Sequence, residues 1–401
     1  LRRQRQMCIR DRSGTVDRHW KRIQDDHTVS ANIPRFRAMY EHISDVPGYS
    51  ITRGRSQSVQ RSGPSLISRL VRHARHFAGL KARSGQGLTI GLWHEFHKPP
   101  YGGGNQFMMA LEGALRAQGV RVVTNRMSKK VDVHICNSAW FDVGQFEQES
   151  LRHPVRMIHR IDGPVSLYRG TDRSEDDRIF SLNARFASAT VFQSAYSYRS
   201  SIALGYQAVR PVIIHNSVNS DIFHARDRIP FSRDRKIRLI SSSWSDNPRK
   251  GGPFYKWLDQ NLDWDRFEYT FVGRVQQTFE RIRHLPPRGS EALAALLQEH
   301  DIYVTASENE PCSNALLEAL ACGLPALYRN GGGSSELVGF GGLAFEGAEE
   351  FMDNLERMVQ GYEMFQSCVT IKGMDEIAAR YIDLAREILD HQLEPRGDAC
   401  L

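Results

Sequence analysis

The sequence predicts an α/β protein made of two doubly wound domains that face a cleft, followed by a C-terminal helical segment. Three observations lead there. From residue 87 onward, β-branched strand candidates alternate with helical segments, a pattern that implies parallel sheets covered on both faces. The series runs twice at similar length, over residues 88–218 and again over 236–329. Each strand candidate is a short apolar run closed by polar or glycine-rich residues, as a buried strand requires.

Taken in order, LTIGLWH (88–94) reads as a strand, PPYGGGNQ (99–106) as a loop, and FMMALEGALRAQG (107–119) as a helix closed by glycine. VRVVT (120–124), VDVHICN (131–137), PVRMIHRID (154–162), ATVFQS (189–194) and VRPVIIHNSV (209–218) continue the first series. KIRLISSS (236–243), FEYTFVG (267–273), DIYVTAS (301–307) and LPALYR (324–329) form the second. The domain plan is therefore residues 1–85 as a leader, 86–215 and 216–350 as the two sheet domains, and 351–401 as C-terminal helices. A return of those helices to the first domain is one open arrangement.

Composition narrows the function. A chain of 401 residues, 40% hydrophobic and 25% charged, can hold two or three domains with real cores. Its net charge of +7 is unevenly placed. Residues 1–85 carry 18 Lys+Arg against 6 Asp+Glu, and the remainder carries 35 against 40. The basic charge thus lies outside the folded body, which argues against a nucleic-acid partner. Residues 1–63 are polar without periodicity and are expected to be disordered. Residues 64–83 place Leu66, Ile67, Leu70, Val71, Ala74, Phe77 and Ala78 on one helical face. Such a basic amphipathic helix suits peripheral contact with an anionic membrane, or docking on its own domain. Six scattered cysteines without metal spacing point to a reducing, cytoplasmic setting, on the membrane face if the helix docks there. No apolar segment follows the N-terminal arginines, so no signal peptide is expected. No run of 18 or more apolar residues is present.

The stretch ENEPCSNALLEALACGLPAL (308–327) carries the most chemistry. Pro311 suits the approach to a helix, Ser313 or Asn314 can cap it, and Leu316, Leu317, Leu320 and Ala321 recur at helical spacing. Gly323 and Pro325 end it. The helix start follows a strand and presents free N–H groups, a ready anion site. Glu310 and Glu318 are then either solvated surface charges or groups that flank a bound anion and accept from hydroxyls on either side of it.

Other candidates end neighbouring strands, where ligands of open α/β sheets bind. Gly102, Gly103 and Gly104 let the backbone approach a ligand, or simply make a turn. Their spacing is not that of a dinucleotide fingerprint. Arg249 and Lys250, before Gly251 and Gly252, are placed to face the helix start and hold a diphosphate, or to be solvated charges. His159 and Asp162 are read as ending a strand and facing the cleft. HEFH (94–97) has the wrong spacing for a zinc helix, so no metal ligand is assigned.

The stretch from Leu293 to Val338, ending in GGGSSELV, resembles family 4 of the retaining glycosyltransferases, which have the two-Rossmann GT-B fold. Glu310 and Glu318 match its E-x7-E signature, VIIHNSVNSDIFHA (212–225) looks like its interdomain hinge, and Lys250 in NPRKGG matches its phosphate-contacting lysine. The likeness covers roughly residues 87–390. It implies a hexosyltransferase acting on a nucleotide-diphosphate sugar and a glycan, lipid-linked or other hydroxyl acceptor, with retention and without a metal or other cofactor. Polysaccharide biosynthesis is the implied setting. Glu318 would hold the ribose, Glu310 the transferred sugar, and the amides of Ser313, Asn314 and Ala315 the phosphate. Gly103 and Gly104 would line the donor site, Arg249 and Lys250 would neutralise the leaving diphosphate, and His159, with Asp162, would position the reacting groups. The chain departs from the family in having Pro311-Cys312-Ser313 where Gly-Phe-Gly is common, and Ser243 or Trp244 where an arginine is usual. Two other functions fit the same residues, a non-catalytic nucleotide-sugar or glycan binder and a nucleotide-sugar epimerase.

Overall fold

The computed structural model describes residues 87–98 and 101–390. The leader and its helix at 64–83 lie outside the described residues. In the first domain, β1 (Thr89–Trp93), β2 (Arg121–Thr124), β3 (Val133–Asn137), β4 (Met157–Ile161), β5 (Ala187–Phe192) and β6 (Pro211–Ile213) form one parallel sheet in the order β2-β1-β3-β4-β5-β6. Ile90 pairs with Val122 on one side and Val133 on the other. β1, β3 and β4 are buried along their whole length, which is why they read as unbroken apolar runs. The helices are α1 (Gly103–Ala117), α2 (Val143–Ser150), α3 (Val165–Arg169), α4 (Ser174–Phe186) and α5 (Ala195–Ala203).

The second domain repeats the plan with β7 (Ile237–Ser243), β8 (Phe267–Gly273), β9 (Arg283–Leu285), β10 (Ile302–Thr305), β11 (Ala326–Arg329) and β12 (Gly342–Phe345), ordered β12-β11-β10-β7-β8-β9. Around them lie α6 (Gly252–Asn261), α7 (Ser290–Glu299), α8 (Asn314–Ala321), α9 (Ser334–Val338), α10 (Ala348–Gln360) and α11 (Tyr362–Ser367). The predicted class, two doubly wound parallel sheets, is the observed one. Strand order reverses between β1 and β3 in the first sheet and between β7 and β10 in the second. The segments leaving β1, β7 and β10 are therefore where ligands of such sheets are held.

Two differences from the sequence reading matter. Residues 103–106, read as loop, are the first turn of α1, and Gly102 is its N-cap residue. Glycine is a poor helix former, so propensity hides this start; burial of Phe107, Met108, Leu111 and Leu115 in the first core holds the helix in place. The edge strands β9 and β12 were also missed. β9 is three residues long and mostly exposed, and β12 is only four residues long, so neither is long enough to stand out as a strand.

The last described helix, α12 (Met374–Asp390), packs on α1. Its Met374, Ile377, Tyr381, Ile382 and Ile388 join Ile90, Leu111 and Ile158 in the first-domain core. Each such buried aliphatic or aromatic side chain stabilises by roughly 1.5–3 kcal/mol. Arg380 donates to the Ile213 carbonyl (2.6 Å) and Gln118 to the Asp375 carbonyl (2.8 Å), fixing the helix along its length.

Candidate functional site

The two domains meet where α1 and α8 begin. A Cβ on Gly103 would lie 2.5 Å from the Asn314 side-chain nitrogen and 2.8 Å from its Cβ, so only glycine lets the helix starts come this close. Ser313 caps α8 by accepting from the Leu316 amide (3.2 Å). That leaves the N–H groups of Asn314 and Ala315 without an acceptor inside the helix, and Gly103 and Gly104 are in the same position in α1. Both dipoles present their positive ends here. Gly102, Gly103, Asn314 and Ala315 line one pocket, whose other walls include Trp244, Val272, Gly273, Arg288, Leu293 and Glu318.

Glu318 lies one turn into α8 and lines that pocket. Its carboxyl forms no hydrogen bond or ion pair among the described residues, and burial pushes its pKa up to about 8. It is an acceptor without a donor, beside two helix ends that are donors without an acceptor. Glu310 stands differently. It is paired with Lys250, both largely buried, outside the lining of the pocket. Its loop is shaped by Asn309, whose φ is 54°, and by a bond from the Gly333 amide to the Glu310 carbonyl (2.8 Å).

Arg249 does not reach the pocket. Asn247 accepts from the Arg249 amide (2.9 Å) and orients the turn so that the guanidinium donates to the Leu167 carbonyl (2.6 Å). Leu167 lies near the end of the short helix α3, where carbonyls lack helical partners. Asn247 adds a bond to the Arg169 carbonyl (3.0 Å). The arginine expected to grip a diphosphate thus staples the two domains together.

The reading of His159 is also corrected. It lies inside β4, fully buried, instead of at a strand end facing the cleft. Its Nδ1 accepts from Asn183 (3.1 Å), which leaves Nε2 to donate to the Ser138 carbonyl (2.7 Å), the tautomer that this network dictates. Burial lowers its pKa to about 4. Both nitrogens are occupied in the core, so none is free for a substrate. Asp162 does sit just beyond β4, at the domain seam, where the adjoining Gly163 abuts Pro311. Its carboxylate accepts from Trp140 (3.1 Å), Arg160 (3.0 Å) and Gln193.

Three groups that the sequence reading passed over organise this seam. Arg160, fully buried in β4, donates to Asn137, Asp162 and Asn216 (2.8 Å to the last) and lies 4.3 Å from the Phe107 ring centre. Asn216 in turn donates to Asn314 (2.9 Å) at the start of α8. Glu336 of α9 accepts from the amides of Ala195 and Tyr196 (2.7 Å each), capping α5 across the seam, and from His215 (3.2 Å). Burial works to raise the Glu336 pKa, but these bonds outweigh it and hold the carboxyl below the usual carboxylate range. A charge inside an apolar strand was the available signal for Arg160. Among the described residues, no three His, Cys, Asp or Glu side chains gather as a metal site.

Comparison with known proteins bears on the second domain and on the fold. Residues 260–361 match the family model described as Glycosyl transferases group 1. A comparison with curated protein sequences found no match. Among solved structures, sucrose-phosphate synthase from Thermosynechococcus elongatus superposes with a TM-score of 0.59 at 16% identity, covering 76% of this chain and 100% of that one. Anabaena HepE in complex with UDP-glucose gives 0.52 at 15% identity, over 76% and 98%. The catalytic domain of starch synthase IV from Arabidopsis thaliana, bound to ADP and acarbose, gives 0.55 at 10% identity, over 76% and 99%. The shared arrangement is the GT-B fold.

Proposed function

We propose that this protein is a glycosyltransferase that moves a hexosyl group from a nucleoside-diphosphate sugar to a hydroxyl of a glycan or lipid-linked acceptor. The observation that carries the reading is the juxtaposition of two open helix N-termini with the unpaired carboxylate of Glu318 in one pocket. A diphosphate fits the first feature, and a ribose diol, which donates two hydrogen bonds, fits the second. The match of residues 260–361 to a glycosyltransferase model supports the same assignment.

In this reading the amides of Gly103, Gly104, Asn314 and Ala315 meet the negative charge that builds on the leaving diphosphate, and Lys250 is assigned to help neutralise it. Such charge stabilisation supplies what a metal would, and we assign none. Glu310, steadied by Lys250, is the group assigned to the sugar hydroxyls. The acceptor oxygen bonds the anomeric carbon as the carbon–oxygen bond to the diphosphate breaks. The acceptor proton passes to the departing diphosphate, because Asp162 already accepts from three donors. Retention of configuration is what the resemblance to family 4 implies, and the anomeric proton of the first-formed product tests it by NMR. Cys136, Cys312 and Cys322 are free thiols, in keeping with a reducing, cytoplasmic setting. Among the described residues no helix is long and apolar enough to cross a membrane. If residues 64–83 hold the protein at a membrane surface, deleting residues 1–85 abolishes its association with anionic liposomes.

The diversion of Arg249 to Leu167 favours one alternative, a binding protein without turnover. Calorimetry with UDP, GDP, ADP and dTDP tests the main reading. At least one should bind the wild type and lose affinity in Glu318→Ala. Binding of none removes the reading. Binding of the matching nucleotide sugar without turnover on any acceptor leaves the alternative, and conversion of the donor without acceptor points to an epimerase.

A further inference from the structure

The pocket lining also carries groups unlike those of the helix starts. Pro287, Arg288, Ser290 and Leu293, which join β9 to the first turns of α7, belong to it. Arg288 is the one cation among the pocket-lining residues, as Glu318 is the one carboxylate. It is exposed, and its guanidinium forms no hydrogen bond or ion pair among the described residues. Ser290 opens α7 behind Gly289, which has no side chain to cap the helix, so the first amides of α7 are further donors without helical acceptors. Apolar surface flanks these donors through Leu293, Pro287 and Val272. A flat ring with acceptor atoms on its edge matches such a wall.

The groups already assigned say which part of a ligand is left for these residues. The helix starts are read as holding the phosphates, and Glu318, four residues into α8 and about 6 Å along its axis, as holding the ribose. Arg288, the one cation of the same lining, is then left for the base. We infer that Arg288 reads the base of the donor and that the protein takes a nucleotide with a keto base (uracil, thymine or guanine) in preference to adenine. Uracil and thymine present O2 and O4, and guanine presents O6 beside N7, the pair that arginine grips with two bonds. Adenine sets its amino group next to its ring acceptors, so a donor faces the guanidinium and one bond is lost.

This inference rests on the nucleotide reading above, and one titration separates their failures. Isothermal calorimetry with UDP, dTDP, GDP and ADP is run on the full chain as wild type, Arg288→Ala and Arg288→Glu. The wild type should bind at least one keto nucleotide about 10- to 100-fold more tightly than ADP. Arg288→Ala should bring that ratio close to one, mostly by weakening the keto nucleotide, and Arg288→Glu should turn it towards ADP. Neither change should move the melting temperature much, since the side chain has no partner to lose. ADP bound at parity or better by the wild type overturns the inference alone, as does a ratio unchanged in Arg288→Ala. Failure of every nucleotide to bind overturns both readings.

Discussion

Replacing Glu318 with glutamine should make the empty protein more stable and the nucleotide bind worse. Burial raises the pKa of this carboxyl from 4.5 to about 8 because no donor or cation offsets the loss of water. The sign follows from linkage. Above pH 4.5 the unfolded chain has released this proton, whereas the folded chain keeps it until about pH 8. Stability therefore falls as pH rises through that window and is lowest above it. The full interval corresponds to about 5 kcal/mol at 1.36 kcal/mol per pH unit. Contact of the carboxylate with pocket water reduces the expected cost to about 1–3 kcal/mol. Urea unfolding of wild type and Glu318→Gln, near pH 5 and again near pH 9, reads this directly. The two proteins should coincide at the lower pH, and the variant should be the more stable at the higher one. Ribose hydroxyls donate to the ionised form, so nucleoside affinity should rise towards pH 8 with release of a proton. In Glu318→Gln, binding should drop about 10-fold or more and lose this pH dependence. A variant that is less stable near pH 9, or that binds nucleotide as well as wild type, would refute the assignment.

Three further outcomes test the seam between the domains. Arg160→Met should destabilise by about 2–4 kcal/mol in thermal or urea melts, because the Asn137 and Asn216 oxygens lose their donor and Asp162 loses one of three; Arg160→Lys should recover only part, lacking the planar fork. Gly103→Ala should weaken nucleotide binding about 10-fold and also lower the melting temperature, since the added Cβ meets the Asn314 Cβ at 2.8 Å and pushes Asn314 away from the pocket and from Asn216; an unchanged affinity would show that the helix starts need not be this close. His159→Gln should lower the melting temperature but leave the nucleotide affinity of the folded protein unchanged, because both ring nitrogens serve the core. A loss of affinity in a stable His159→Gln would restore the histidine to the site.

What could be read from the sequence tracks what is local. The central strands announce themselves because burial on both faces leaves apolar runs such as MIHRI and IYVT. The start of α8 is equally local: Ser313 caps, Glu318 follows one turn later, and the anion site comes with the geometry of any helix end. His159 was read as ending its strand, whereas it sits at the centre of β4, two residues before Ile161, where both neighbouring strands cover it. The destinations of Arg249 and Glu336 depend on carbonyls and amides of the other domain, at Leu167, Ala195 and Tyr196, which no spacing reveals. Arg288 lies between a three-residue strand and a helix start, where nothing periodic marks it.

The position of α12 bears on how the protein is made. Gln118 and its partner Asp375 are separated by 257 positions, and the helix that begins beside Asp375 supplies part of the first-domain core. During synthesis the strands of that domain leave the ribosome with α1 lacking its cover. The second domain, contiguous between β7 and α11, is complete before α12 emerges. The usual vectorial order, N-terminal domain first, is thus inverted here. Until α12 arrives, the first-domain core lacks Met374, Ile377, Tyr381, Ile382 and Ile388.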